Sequence, residues 1–563
     1  MSLAVRSLLS RSLRSCVPQA CRRGAYSPLA DFYHHHSRAI ATMPKPMARK
    51  QNDNKKSKKQ KPEKKVWSAE EAEDVLALDV EKLLRDHAKT KDQPQTADQE
   101  EVAKPALPEP FAEIDVTVSD ISSTGDGLAL SENGDHVYVV PFTVPGDKAR
   151  VKVVRHVLQR NYSITDFLSV IEPGPQRDDS RIKCPYFAQC SGCQLQMMSY
   201  EDQLKHKKRV VKKAYANFSG LIPELIPAIE DTFPSPRQYG YRTKLTPHFP
   251  NPLKGEDGER KIPPFGFNMK NRRAVLDIED CPLGTDILRR GLQQERRRVA
   301  ENLQNYKRGA TVLLRESTTR VAKSDTSQDK NRKDDDDVIR TEFPNYIEEK
   351  RCVTDHNGVT VEYVDDFIFR NKAGAFFQNN NSILSGFTDY IRQRCRTGPA
   401  ASDEKKPIKY LLDAYSGSGL FTVTLSNVFE SSLGIDIAPE SIAAARDNAA
   451  ANNLPRSAAR FAAADAATLF KDVPFPADET LLVIDPPRKG CSEDFLRQLL
   501  AYGPRRVVYI SCNVHTQARD VGVLVQGRDG VRYEIESIRG FDFFPQTGHV
   551  EGVAVLNRVV DTE

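Results

Sequence analysis

No run of about eighteen apolar residues occurs anywhere in the chain, so a membrane-spanning helix is not expected. Cysteine is scarce: ten in 563 residues, too few for a secreted disulfide scaffold. Acidic residues are missing from Met1 to Leu29, where Arg6, Arg11, Arg14, Arg22 and Arg23 are interleaved with Leu, Ser and Ala. That composition is expected of a mitochondrial presequence, placed at residues 1–42. A large excess of either charge is also lacking. With 28% charged residues and a net charge of +5, composition alone neither demands nor excludes a nucleic-acid partner.

The length implies several folded units. Residues 43–108 read as a polar linker. They open on a Lys-rich block, Lys50 to Lys65, that cannot bury enough apolar surface to fold, and they carry one short helical pattern around Ala69 to Leu84. Met43 and Met47 lie between the presequence and the basic block, so a second start there would leave a nuclear or cytoplasmic form.

From Ala112 to Glu172 the pattern becomes short alternating runs broken by Gly and Asp turns, the signature of a five-stranded OB-like barrel assigned to residues 109–175. Lys148, Arg150, Lys152, Arg155 and Arg160 are expected to face phosphates. Residues 176–380 form a central α+β region. It contains Cys184, Cys190 and Cys193, a basic helix from Tyr200 to Phe218 with Lys205, Lys207, Lys208, Arg209, Lys212 and Lys213, and two polar insertions, Lys254 to Lys261 and Ser324 to Asp337. The basic helix is a second candidate phosphate-binding face.

Residues 381–563 alternate apolar strands with Ala-rich helical patterns, which implies a doubly wound, Rossmann-like parallel sheet. Ligands in such sheets bind beyond the carboxyl ends of the strands. Asp413-Ala-Tyr415-Ser-Gly417-Ser-Gly419 follows the first strand and opens an expected helix from Leu420 to Val428. A dinucleotide fingerprint needs a third glycine where Thr422 stands, so an adenosine-bearing cofactor without a pyrophosphate fits better. Asp436, at the end of the next strand, is placed to bind ribose hydroxyls. Asp465 sits where an adenine-side polar contact is common, but an ordinary loop carboxylate is the better reading there. Asp485-Pro486-Pro487-Arg488-Lys489-Gly490 and Ser511-Cys512-Asn513 end two further strands. A cysteine taken alone is more often packing than chemistry.

Cys184-x5-Cys190-x2-Cys193, followed after 87 intervening residues by Cys281, offers four thiolates, suited by count to zinc or to an iron-sulfur cluster.

The motifs DAYSGSG, DPPRKG, ISCN and HVEGVAVL together resemble the RNA uracil-5-methyltransferase family, from the barrel to the end of the chain. The resemblance implies a TRAM barrel, a central iron-sulfur domain and an S-adenosylmethionine-dependent methyltransferase domain. It makes Cys512 the nucleophile, Glu551 the proton acceptor, and Gln378, Tyr415, Asp436 and Asp485 residues around the donor. It assigns Cys184, Cys190, Cys193 and Cys281 to a 4Fe–4S cluster of structural role. The implied substrate is the T-loop uridine of tRNA, with a ribosomal RNA uridine or a catalytically silent RNA chaperone as alternatives. Cytosine-5 enzymes usually carry a cysteine after the paired prolines, where this chain has Arg488. Many relatives carry Tyr-Cys-Gly and Asn-Phe where Tyr415-Ser416-Gly417 and Leu420-Phe421 stand, so one donor contact near Leu420 is expected to be missing. An ordinary thiol titrates near ~8.5, so the surroundings of Cys512, Arg488 among them, are expected to lower it.

Overall fold

The computed structural model describes residues 68–91, 107–255, 258–324, 337–396, 407–464, 470 and 473–559. The presequence, the Lys-rich block, most of the Ser324 to Asp337 insertion and Asp465 lie outside the described residues. All described residues belong to one unit, Val66–Glu563.

The alternating segment closes into a five-stranded barrel of Glu113–Ile121, Gly127–Leu130, Val137–Val140, Lys148–Val157 and Tyr162–Glu172. Every second residue of Lys148–Val157 turns inward, burying Ala149, Val151 and Val153 completely, as the two-residue period of a strand requires. Outside the barrel lies a helix, Ala72–Lys91, starting and ending later in the chain than the pattern from Ala69 to Leu84 suggested. Its Leu76, Ala77 and Val80 share a core with barrel residues Leu128, Val137, Val139 and Tyr162.

The basic helix spans Tyr200–Phe218, the range its sequence marks. Ser199 caps it by accepting from the Asp202 N–H at 3.1 Å, with Glu201 and Asp202 in the first turn, where carboxylates favour the positive end of a helix. The rest of the central region forms two four-stranded sheets, a two-stranded ribbon and the helix Asp286–Glu301.

An eight-stranded sheet dominates the C-terminal part. Its first five strands in order, Ala459–Ala463, Ser431–Asp436, Tyr410–Ala414, Thr480–Ile484 and Arg506–Ser511, are parallel. Glu551–Val559 and Arg532–Phe541 follow antiparallel, and Glu230–Phe233 joins the edge from the central region. The basic helix packs on this sheet as well, with Val210, Val211, Ala214 and Tyr215 in the core of one face. Segments 200–218 and 230–233 are therefore structurally part of the C-terminal layer. The helix after the glycine loop is short, Leu420–Thr424, rather than reaching Val428.

Candidate active site

The strand order reverses at Tyr410–Ala414, whose neighbours on the two sides are Ser431–Asp436 and Thr480–Ile484. This switch point is where a doubly wound sheet opens a ligand crevice. Ala414 pairs with both Ile435 and Ile484, so Tyr415, Asp436 and Asp485 leave the sheet side by side. On the next pair of strands, Ser511 stands opposite Gly552. One step further, that antiparallel register brings Cys512 level with Glu551. A cleft of about 1830 Å³ unites Gln378, Tyr415, Asp436, Asp485, Arg488, Cys512 and Glu551.

The glycine loop is held by groups that motif reading missed. Asp413 is fully buried and accepts from the Thr422 N–H at 3.0 Å and the Thr422 hydroxyl at 2.6 Å. Burial raises its carboxyl to about 7, against those hydrogen bonds. Thr422 thus occupies the place of a dinucleotide glycine because its hydroxyl ties the loop to the strand. The Asp413 to Thr422 spacing was the available signal. Tyr415 adopts φ +63°, between a strand end and Gly417 at φ +53°. Asp436 accepts from the Gly417 N–H at 3.0 Å and the Ala438 N–H at 2.8 Å, which fixes the loop and starts the helix Pro439–Ala451.

The catalytic end is electrostatically tense. Burial pushes the Cys512 thiol up to about 12, Glu551 and Asp485 add to the rise, and only Arg488 opposes it. The expected lowering is therefore reversed, because two carboxyls face the thiol as well as one guanidinium. Burial also raises Glu551 and Asp485; the charge of Asp485 adds to the rise at Glu551 against Arg488, and the charge of Asp413 adds to the rise at Asp485. His549 lines the same cleft beside Phe544, ring centroids 5.1 Å apart. Burial and Arg488 push its imidazole down to about 3, so it is neutral.

The four cysteines of the expected cluster, Cys184, Cys190, Cys193 and Cys281, share one neighbourhood. Cys190 pairs with Met269 in an isolated bridge, and Gln196 Oε1 accepts from the Lys183 and Cys184 N–H groups. Burial raises all four thiols, and Cys281 further raises Cys184, Cys190 and Cys193, which places them within electrostatic reach of one another. Among the described residues, however, no three His, Cys, Asp or Glu side chains are arranged as a metal shell. The donor set suits a four-sulfur group in kind, but its present arrangement is not closed around one.

The expected phosphate faces are mostly occupied internally. Lys148 pairs with Glu172, Arg150 with Asp115, Arg155 with Glu73 and Arg160 with Asp74. On the basic helix, Lys205 pairs with Glu201, Lys208 with Asp231, Arg209 with Asp120, and Lys213 with Asp79 and Asp120. Lys207 is fully buried against Asp542. Arg209 and Lys213 tie the basic helix to the barrel and Lys207 ties it to the C-terminal part, whereas Lys148, Arg150 and Lys205 pair within the barrel or within the helix.

Comparison with known proteins agrees with this geometry. The family tRNA (Uracil-5-)-methyltransferase matches residues 345–559, and the TRAM domain matches residues 109–160. The tRNA (uracil(54)-C(5))-methyltransferase of Schizosaccharomyces pombe is 46% identical over 82% of this chain and 81% of its own length. The Saccharomyces cerevisiae protein of the same name is 41% identical over 79% and 73%. The crystal structure of Pyrococcus abyssi tRNA (uracil-54, C5)-methyltransferase in complex with S-adenosyl-L-homocysteine shares the fold, with a TM-score of 0.53 at 22% identity over 79% of this chain and 100% of that one. The similarity to the two yeast proteins runs through most of each chain, and so the present chain belongs to the tRNA (uracil-5-)-methyltransferase family.

Proposed function

We propose that this chain transfers a methyl group from S-adenosylmethionine to carbon 5 of uridine 54 in tRNA. The observation that carries the reading is the register that sets Cys512 level with Glu551 at the mouth of the glycine-loop crevice. The yeast relatives' names supply the position.

Carbon 5 of uracil is a poor nucleophile until something adds at carbon 6. The Cys512 thiolate forms the S–C6 bond, and the C5=C6 electron pair moves into an enolate. The donor supplies an electrophilic methyl group on a sulfonium. After carbon 5 has taken it, Glu551 removes the C5 proton, the enolate collapses and the thiolate leaves. Glu551 suits that step because its raised basicity makes it a better proton acceptor than an ordinary carboxylate. The glycine loop, Asp436 and Gln378 line the donor side of the cleft. A base in a folded RNA must leave its stack to reach Cys512, and the cleft is large enough to admit it beside the donor.

The test is transfer of labelled methyl to unmodified tRNA by the wild type and Cys512→Ala, with the product located by nucleoside mass spectrometry. 5-Methyluridine at position 54 that disappears in the variant is expected. Product formed only on ribosomal RNA, or none with donor bound, would overturn the reading in favour of the alternatives.

Cys184, Cys190, Cys193 and Cys281 would hold a 4Fe–4S cluster of structural role in this reading, supported by the four-thiol donor set. Anaerobic purification with iron and sulfide quantification tests it. Residues 1–42 would direct mitochondrial import, supported by the acid-free, Arg-rich stretch from Met1 to Leu29. N-terminal peptides from purified compartments test that assignment and any second start at Met43 or Met47.

A further inference from the structure

The segment from Ser68 to Lys91 is bound at three places. Against the barrel, Asp74 pairs with Arg160 and Glu73 with Arg155, beneath the shared apolar core. Against the basic helix, the buried Asp79 takes Lys213 Nζ at 3.0 Å while accepting from the barrel's Ser123 N–H. Its first turn goes elsewhere, to the helix Val514–Gln526 that follows Cys512. There the Ala69 carbonyl accepts from Asn513 Nδ2 at 3.4 Å, and Glu70 Oε1 accepts from Arg519 Nη1 at 3.0 Å.

Both donor side chains also bind the turn from Arg488 to Cys491, and Arg519 Nε pairs besides with Asp520 at 2.9 Å. Asn513 Nδ2 also donates to the Arg488 carbonyl at 3.0 Å, and Arg519 Nη2 donates to the Lys489 carbonyl at 2.8 Å and the Cys491 carbonyl at 3.4 Å. Gly490, between them, has φ +77°, and a Cβ there would lie 2.7 Å from Arg519 Nη2. The turn from Arg488 to Cys491 is therefore moulded against Arg519. It is this turn that presents the Arg488 guanidinium to Cys512.

We propose that Ala69 and Glu70, acting through Asn513 and Arg519, position the Arg488 turn beside Cys512, so that the N-terminal strap links the barrel to the nucleophile. Glu70, Asn513 and Arg519 are positioning residues, since none of them needs to touch the reacting atoms. The inference deepens the methyltransferase reading and rests on it for the role of Cys512. Its physical content is specific. A guanidinium offsets a buried thiolate only at close range, and a turn held by carbonyl acceptors moves when one donor loses its anchor. The barrel is tied to the same strap, so the placement of the barrel and a correctly set Arg488 become properties of one element.

The test uses the full-length chain with Glu70→Ala and the rescue variant Glu70→Gln, which keeps an acceptor for Arg519. The first readout, taken without RNA or donor, is the pH dependence of iodoacetamide alkylation at Cys512, followed on its peptide by mass spectrometry. Glu70→Ala is expected to move the profile to higher pH and to lower kcat about fivefold, as loss of a partly exposed charged hydrogen bond allows, with KM for tRNA within about twofold. Glu70→Gln is expected to restore most of both. An unmoved alkylation profile in Glu70→Ala, whether or not its Tm falls, would overturn the proposal, as would a change confined to KM. Because the alkylation profile needs no substrate, its result is separate from the question of which RNA is methylated.

Discussion

Gln203 and Gln546 hold each other in both directions: Gln203 Nε2 donates to Gln546 Oε1 at 3.0 Å, and Gln203 Oε1 accepts from the Gln546 N–H at 3.0 Å. Gln546 sits at φ +71°, five residues before Glu551, and its carbonyl accepts from the N–H groups of Gln194 and Leu195 at 2.8 and 3.1 Å. Gln194, next to Cys193, also accepts from the Gly548 N–H at 3.1 Å and donates to the Thr124 carbonyl of the barrel at 2.7 Å. The loop leading to the catalytic carboxylate is thus shaped by the cysteine loop and the basic helix. Gln203→Leu leaves the buried Gln546 groups without partners, which costs about 1–3 kcal/mol. The expected outcome is a lower urea midpoint together with a reduced kcat. A fall in stability with unchanged turnover would detach this loop from catalysis.

The buried pair Lys207–Asp542 makes a sharper prediction. Both side chains are fully buried, and Lys207 also donates to the Phe544 carbonyl at 2.9 Å. Removing one partner strands the other charge, so Lys207→Met should destabilise by about 3–5 kcal/mol. Lys207→Met combined with Asp542→Leu should recover much of that loss, since apolar replacement of a whole buried pair is often nearly neutral. Chemical denaturation of the two variants decides it.

Glu551 carries a signed pH prediction. Its folded carboxyl is raised above the ordinary value of about 4.3 by burial and by Asp485. The folded state therefore binds that proton more tightly than the unfolded chain. This contribution to stability is fully present below the ordinary value and is lost as the pH rises through the raised one. Glu551→Gln keeps a neutral group at every pH. Its Tm should exceed that of the wild type at neutral pH and converge with it in acid, while methyl transfer is abolished. Equal Tm curves at neutral pH would show that Glu551 is not strained in the folded enzyme.

Cys512 should be a latent thiol. With its titration pushed up to about 12, the free enzyme at neutral pH should alkylate at Cys512 roughly a thousandfold more slowly than an ordinary thiol. Denatured protein supplies the reference rate. Rapid labelling of the folded enzyme at neutral pH would contradict this environment.

These expectations divide according to what sequence can carry. The barrel and the strand-end motifs were legible because residue alternation and short apolar runs are local signals, and Ser199 with Asp202 marks the start of the basic helix. The edge strand Glu230–Phe233 was not legible, since EDTF has no run to recognise and pairs with residues some three hundred positions later. The direction of the Cys512 shift was hidden for a similar reason. It depends on the burial of the thiol and then on Glu551 and Asp485 converging from different strands. The internal partners of the basic residues were not legible either, because Asp79, Asp120 and Asp542 lie far off in the chain from Lys213, Arg209 and Lys207.

That last point changes where RNA contact should be sought. Lys148 and Arg150 already pair with carboxylates across the barrel strands, whereas Arg242, Arg370 and Lys372 line the catalytic cleft together with the exposed Phe376. A side chain that neutralises a phosphate releases counterions, so its removal flattens the salt dependence of binding. Substituting Arg370 or Lys372 by Gln should lower tRNA affinity and reduce the slope of log K against log salt by about one each. Lys148→Gln and Arg150→Gln should leave the slope nearly unchanged, because each cation removed was already matched by a protein anion. Fluorescence anisotropy of labelled tRNA across a salt series measures both. A slope that responds to the barrel pair and ignores the cleft pair would mean that RNA displaces Glu172 and Asp115 on binding and would return the phosphate path to the barrel surface.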